Sequence, residues 1–174
     1  MEPMQSTNLK SFQSATYARK ARVEGSQFLT LRLGGEDYAI DILKVQEIRS
    51  YEAPTRMVNA PDFIKGVIDL RGVIVPIVDL RIKLRIEPAA YDDFTVVIIL
   101  NVRGTVLGAV VDAVSDVVTL SADAIKPAPH FEAAVDARFI TGLASVAERM
   151  LIVVNVDALL SNAEMGLVSA ATPA

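Results

Sequence analysis

Apolar and polar positions begin to alternate at Phe28. FLTLRL at 28–33 alternates, Gly34, Gly35, Glu36 and Asp37 break the pattern as a turn, and Tyr38, Ala39 and Ile40 resume an apolar strand, which together predict a β-hairpin. The next stretch, ILKVQEI at 42–48, fits two periods. Ile42, Val45 and Ile48 share a helix face, whereas Val45, Glu47 and Arg49 share a strand face. Pro61 predicts a short helical turn through Phe63 and Ile64, because proline suits a first helical position. Residues 67–79 predict two strands about a turn at Gly72, and alternation places Val67, Asp69 and Arg71 on one face and Ile68 and Leu70 on the other, with Arg71 directed away from the core. Runs 73–78 and 95–100 are nearly continuous and β-branched, the pattern of strands covered on both faces. One face would fill a barrel and the other would pack against a sister barrel. Pro76 lacks a backbone donor and is predicted at a sheet edge or a bulge. Leu159, Leu160, Ala163 and Leu167 mark one face of a C-terminal helix over about 157–168.

This texture is written twice. Residues 63–84 return without a gap as 139–160, pairing Phe63 with Phe139, Gly66 with Gly142, Val78 with Val154, Asp79 with Asn155 and Leu84 with Leu160. Residues 28–48 return as 97–117, pairing Leu31 with Leu100, Gly35 with Gly104, Val45 with Val114 and Glu47 with Asp116. The offsets differ, so the loop between the blocks is seven residues longer in the second copy. Two copies are too few for a solenoid. A lone unit of about 60 residues buries little of its surface, so the copies are expected to share a core as a mainly β pair of packed barrels. The first copy spans about 28–90 and the second about 91–160, each supplying most of a barrel with strand exchange allowed, and 85–93 links them. Residues 1–26, polar and without sustained periodicity, read as a flexible arm.

Composition narrows the function classes. Hydrophobic residues make up 52% of 174, yet the apolar runs at 94–102 and 104–111 fall far short of the ~20 residues that span a bilayer, so no membrane insertion is expected. The opening MEPMQSTNLK lacks the apolar region of a secretory signal, and cytoplasmic residence is the expectation. Without cysteine there is no disulfide framework, thiol nucleophile or thiolate metal site. A formal charge of -4 with no long basic run argues against a nucleic-acid partner.

Candidate chemistry is sparse. His130 stands alone in a loop-like stretch without a ligand cluster, so neither a metal nor a catalytic role is expected of it. Nucleophile-elbow and phosphate-loop motifs are absent. Asp112 and Asp116, and Asp92 and Asp93, read as solvated carboxylates. GGEDY at 34–38 superficially resembles a cyclase signature but departs from it at two positions and reads as a turn. The alternative function class is a small enzyme or nucleotide-binding protein using Asp41, Asp112 or the 34–37 turn. It requires converging carboxylates or a phosphate cradle, whereas a binding module requires apolar surface strips. No catalytic residue, cofactor or metal is assigned.

Where the copies differ on an exposed face, function becomes a candidate. Arg71 stands opposite Ala147 and Asp69 opposite Ser145. An exposed Asp69–Arg71 ion pair would contribute only about 0.2–1 kcal/mol, whereas arginine is enriched as an interface anchor. The residues alone leave a solvated strand arginine and an interface arginine equally open.

The ordered motifs carry a resemblance. FLTL with YAIDILKVQEIR in 28–49, GVIDLRGVIVPIVDLR at 66–81, VVDAVSDV at 110–117, IKPAP at 125–129 and TGL at 141–143 together resemble the CheW-type chemotaxis coupling proteins. The resemblance covers roughly 28–168, placing a CheW-like domain at 27–168. It implies two SH3-like five-stranded β-barrels about a pseudo-twofold relation, and a non-enzymatic adaptor joining methyl-accepting chemotaxis receptors to the histidine kinase CheA in membrane-associated arrays. It further implies receptor contacts at Val45, Glu47, Gly66, Arg71 and Ile74. Asp69 stands where the family commonly has asparagine, and a carboxylate so close to Arg71 is expected to restrain it.

Overall fold

The computed structural model describes residues 25–86, 90–127 and 136–161. Most of the predicted arm, His130, Pro88 and the C-terminal segment beyond Ser161 lie outside these residues. The described chain contains strands β1 (Ser26–Leu33), β2 (Glu36–Asp41), β3 (Val45–Ser50), β4 (Ile64–Leu70), β5 (Val73–Asp79), β6 (Val96–Val102), β7 (Thr105–Val111), β8 (Ala113–Leu120), β9 (Ile140–Val146) and β10 (Arg149–Val154), with one-turn helices α1 (Leu80–Lys83) and α2 (Val156–Leu159). The duplication is complete at this level. β1–β3 correspond to β6–β8, and β4, β5 and α1 correspond to β9, β10 and α2. Asp79 and Asn155 cap the two equivalent helices, accepting from Arg81 N–H and Ala158 N–H.

The strands form two five-stranded sheets, in the orders β8-β1-β2-β10-β9 and β3-β6-β7-β5-β4. Each sheet curls until its edges meet. Just beyond β3, Thr55 exchanges two backbone bonds with Val67 of β4, at 3.0 and 2.8 Å, and just beyond β8, Lys126 does the same with Leu143 of β9, at 2.8 Å each. Both sheets are therefore closed barrels. Neither is built from one copy: β1 and β2 close with β8–β10, while β3–β5 close with β6 and β7. The division into copies near residue 90 consequently does not divide the barrels. The exchange arises where the chain leaves β2, because Asp41 caps a 3-10 turn over Ile42–Lys44 that carries β3 across to pair with β6. Parallel pairings of β10 with β2 and of β5 with β7 complete the interlock. The ambiguous segment 42–48 thus resolves into one tight turn and a strand.

Alternation within the strands creates three cores. Val97 and Ile99 point into the β3–β7 barrel with Leu70, Val75, Ile77 and Val110. Ile98 and Leu100 point the other way, into the layer between barrels, where they meet Leu29, Leu31, Leu33 and Ile152. Phe28, Ala39, Leu120 and Leu151 fill the other barrel. Double coverage holds over 97–100, with Val96 half-buried, but only in part of 73–78, where Val73 and Ile74 are exposed. The reason is register: the β5–β7 ladder begins at Ile77, so the start of β5 projects past its neighbour as one arm of a hairpin.

One local expectation is corrected and another is refined. Residues 61–64 form a single turn closed by Ile64 N–H donating to Pro61 O at 3.0 Å, after which β4 begins, rather than a helical turn. Pro76 lies in β5, a strand flanked by β4 and β7, but one residue ahead of Ile77 where the β7 ladder begins, so on that side it stands at a local edge. Its partner Val67 uses both backbone groups on Thr55, which makes the Val67–Pro76 pair a non-hydrogen-bonded one where β4 needs no donor. The C-terminal helix expected over about 157–168 is instead a single turn at Val156–Leu159 that ends at a C-cap on Leu160, with Leu159 and Leu160 buried, and residues 162–168 lie outside the described residues. No helix among the described residues is long and apolar enough to cross a membrane.

Candidate partner-binding surface

The hairpin joining β4 and β5 turns on two residues, Arg71 and Gly72, between the paired Leu70 and Val73. Both have left-handed backbone, at φ 52° and 89°, the geometry that matches a two-residue turn to strand twist. Asp69 fixes this turn by accepting from Gly72 N–H at 2.7 Å. Arg71 is therefore outward because it belongs to the turn, not because strand alternation places it there. The predicted Asp69–Arg71 ion pair is replaced by another. Arg71 Nη2 donates to Glu47 Oε1 on β3 at 2.8 Å, and Arg49 Nη1 donates to Glu47 Oε2 at 3.2 Å. One carboxylate thus holds two guanidiniums. The hydrogen bond from Arg71, then that from Arg49, keeps the Glu47 carboxyl below its ordinary pKa against a smaller effect of desolvation. Arg71 remains 70% exposed in this arrangement.

Beside the charges lies apolar surface. Ile74, paired opposite Asp69, is 62% exposed, and Val73 and Ile48 are exposed as well. Val45 is half-buried against the layer between the barrels, and a bulge between Val45 and Glu47 interrupts its register with β6. A cleft of about 150 Å³ opens between β3 and β4, with Arg49, Ser50, Glu52 and Asp69 at its rim and Ile77 and Val97 among its lining residues. Of the five residues expected at a receptor surface, Glu47 and Arg71 are in contact, Ile74 stands on the same hairpin as Arg71, and Val45 on the same strand as Glu47. Gly66 is not part of this exposed surface. It is buried beneath the barrel-closing bridge, where an added Cβ would lie 2.0 Å from Thr55 O. A Cβ added at Gly142 would lie 2.4 Å from Lys126 O in the equivalent place, so the glycine is demanded by backbone approach in both barrels.

The carboxylates of the alternative reading are occupied locally. Gly34 and Gly35 form the β1–β2 turn, Asp37 pairs with Arg32 at 3.2 Å, and Asp41 caps Leu43 N–H at 2.9 Å. Asp116, expected to be solvated, accepts from Thr30 Oγ1 and from Arg149 at 3.2 Å. Asp92 accepts from Phe94 N–H at 2.8 Å and Thr95 N–H at 3.2 Å. A wider open depression of about 390 Å³ is lined by Tyr51, Pro54, Arg56, Met57, Asp62 and Lys65 among others, and brings one carboxylate rather than a converging pair. Among the described residues no group of three or more His, Cys, Asp or Glu is placed to hold a metal ion.

A buried ionic cluster escaped the sequence reading. Arg81 on α1, 1% exposed, donates from Nε and Nη2 to the two oxygens of fully buried Asp79 at 2.9 and 3.0 Å, and from Nη1 to Asp112 at 3.0 Å and Ala90 O at 2.6 Å. Tyr91 donates to Asp79 at 2.5 Å, stacks on Tyr51 and lies beneath the Arg81 guanidinium. Burial pushes the Asp79 carboxyl up, but hydrogen bonds from Arg81 and Tyr91 outweigh it and leave the pKa lowered. Burial and then the adjoining Asp79 raise the Tyr91 phenol. Asp112 also accepts from Gly34 N–H at 2.8 Å, so the cluster ties the hairpin of one barrel to the interior of the other. The available signal was the substitution of Asn155 and Asp157 for Asp79 and Arg81 in the second copy.

Residues 27–164 match the family described as the CheW-like domain. The chain belongs to the CheW-like family. It is 56% identical to Chemotaxis protein CheW of Klebsiella aerogenes over 83% of this chain and 87% of that one. It is 34% identical to the Probable chemotaxis protein CheW of Rhizobium etli over 86% and 97%. Among solved structures it resembles the scaffolding protein TtCheW from Thermoanaerobacter tengcongensis, at a TM-score of 0.69 and 30% identity, covering 74% of this chain and 88% of that chain. The two-barrel architecture therefore extends to a CheW protein of solved structure.

Proposed function

We propose that this CheW-like chain is a non-enzymatic chemotaxis scaffold that couples the cytoplasmic tips of methyl-accepting receptors to the histidine kinase CheA. It acts without a cofactor, in the cytoplasm, recruited to receptor arrays at the membrane. The observation that carries the reading is the juxtaposition of the exposed Arg71, held on Glu47, with exposed Val73 and Ile74 at the projecting β4–β5 hairpin. Such a surface suits a helical hairpin, which offers an apolar stripe and a charged flank at fixed spacing. Val45, Glu47, Arg71 and Ile74 are assigned to receptor contact, with Gly66 shaping the barrel behind them. The CheA regulatory domain is assigned to a separate barrel-end or sheet-edge surface. Individual contacts of micromolar strength, about -8 kcal/mol each, give a durable lattice when several act together.

Calorimetry of the full chain against a receptor cytoplasmic fragment and against the CheA regulatory domain tests this directly. Both fragments bind the native chain. Arg71→Ala folds normally, weakens the receptor by about 1–2 kcal/mol, the scale of an interface anchor, and leaves the kinase unchanged. Equal weakening of both partners, or none of either, removes Arg71 from a dedicated receptor surface.

A further inference from the structure

Glu47 divides its two oxygens between Arg71 and Arg49, and the two arginines are not equivalent. Arg71 rides on a two-residue turn and is 70% exposed, while Arg49 sits within β3 opposite Val97 and is 43% exposed. Glu47 itself is only 29% exposed. The cluster carries one carboxylate and two guanidiniums, a unit of excess positive charge that complements a carboxylate on a partner. When a partner carboxylate takes Arg71, Glu47 loses its shorter hydrogen bond, and a half-buried carboxylate left without a counterion is costly. Arg49 is already in place on the other oxygen.

We propose that Arg49 is a positioning residue that holds Glu47 so that Arg71 can be transferred to a carboxylate on the receptor helix. This rests on the reading that the receptor meets Arg71. Arg49 acts through Glu47 and does not itself touch the partner. Its contribution is needed only while Glu47 is charged. In a Glu47→Gln protein the amide oxygen can still accept from Arg71 but carries no charge, so no charge is stranded by its departure.

The test is a double-mutant cycle in the full chain, with a receptor cytoplasmic fragment as ligand and the CheA regulatory domain as control. Arg49→Gln should weaken receptor binding roughly three- to tenfold, the scale of a charge-assisted hydrogen bond. In the Glu47→Gln background the same change should alter binding by less than about twofold, because the coupling is then absent. Arg49→Lys, which keeps the charge, should recover most of the loss and also serves if Arg49→Gln folds poorly. Kinase binding should be unchanged throughout. Equal losses in both backgrounds overturn the proposal, since Arg49 would then meet the partner directly. So does no loss in the native background while Arg71→Ala still weakens the receptor, a result that leaves the receptor surface standing. If Arg71→Ala has no effect, the receptor reading fails and this proposal with it.

Discussion

Replacing Asp79 by Ala removes the principal counterion of an arginine that has almost no access to water. Arg81 would keep Asp112, which is 35% exposed, and the carbonyl of Ala90, but lose both bonds to Asp79. Tyr91 would lose its acceptor and α1 its cap. Breaking a buried pair by deleting one partner costs about 3–5 kcal/mol, chiefly because the remaining charge is left uncompensated. For a chain of this size that corresponds to a fall in Tm of roughly 6–20 °C. The duplication supplies the control. Asn155 caps the equivalent helix without a buried arginine, so Asn155→Ala should cost about 1 kcal/mol, as for an ordinary cap.

Urea unfolding of the native chain and both variants at about pH 7, 5 and 3.5 reads the magnitude and its origin. Asp79 has a lowered pKa in the folded protein, so its contribution is complete above the unfolded value of about 3.9 and is lost as pH falls through the lower folded value. The gap between native and Asp79→Ala should be full at pH 7 and 5 and begin to close only below about pH 4. An Asp79→Ala cost within about 1 kcal/mol of the Asn155→Ala cost would refute the claim that the buried pair is the difference between the copies.

Gly66→Ala forces a Cβ against Thr55 O from a backbone at φ 146°, and should destabilise by more than about 2 kcal/mol. Faster hydrogen exchange at the Thr55 and Val67 amides would locate the damage at the barrel closure, and unaltered exchange there would contradict it. Asp69→Asn keeps an oxygen acceptor for Gly72 N–H and should leave receptor affinity within about twofold, whereas Asp69→Ala should lose about 1 kcal/mol of stability. A marked tightening on Asp69→Asn would show by calorimetry that the carboxylate competes with Glu47 for Arg71.

The two-barrel plan was legible because repeated apolar spacing is a local property of the chain, and the blocks at 28–48 and 63–84 preserve it in their second copies. Strand exchange was allowed for, but which strands exchange, β1 and β2 for β6 and β7, was not legible. Which strand pairs with which depends on contacts between copies, and β3 reads the same in either barrel. Arg71 was correctly read as exposed but for the wrong reason, since strand alternation stops at Leu70 and the turn takes over. Ile74 looked buried because it belongs to a continuous β-branched run, yet it lies before the start of the parallel ladder. Gly66 illustrates a different limit. A glycine required by backbone approach and one on a contact surface look identical in a single sequence, although the sister Gly142 hinted at the structural role. Asp79 and Arg81 were visible, but Asp112 and Tyr91 converge on them only through the fold.

The sister barrel shows which part of the charged surface belongs to the architecture and which is peculiar to one side. Asp116, the counterpart of Glu47, also pairs with an arginine across the barrel edge, so an ion pair from the third strand of a copy is not itself distinctive. The arginine differs. Arg149 lies at the start of β10, is 30% exposed, and approaches both oxygens of Asp116 at 3.2 and 3.4 Å. Arg71 lies one turn residue beyond its strand, engages a single oxygen of Glu47, and is more than twice as exposed. In the sister barrel the tip position is Ala147, which has no charge to offer. Moving the arginine from strand to tip leaves an ion pair at the edge while exposing one guanidinium, the one the proposed function assigns to a partner carboxylate. With Arg49 still on the other Glu47 oxygen, and surface ion pairs contributing little to stability, such an exchange would cost the fold little. That asymmetry, imposed on an otherwise duplicated framework, is the physical reason the proposed receptor surface is placed on the β3–β7 barrel.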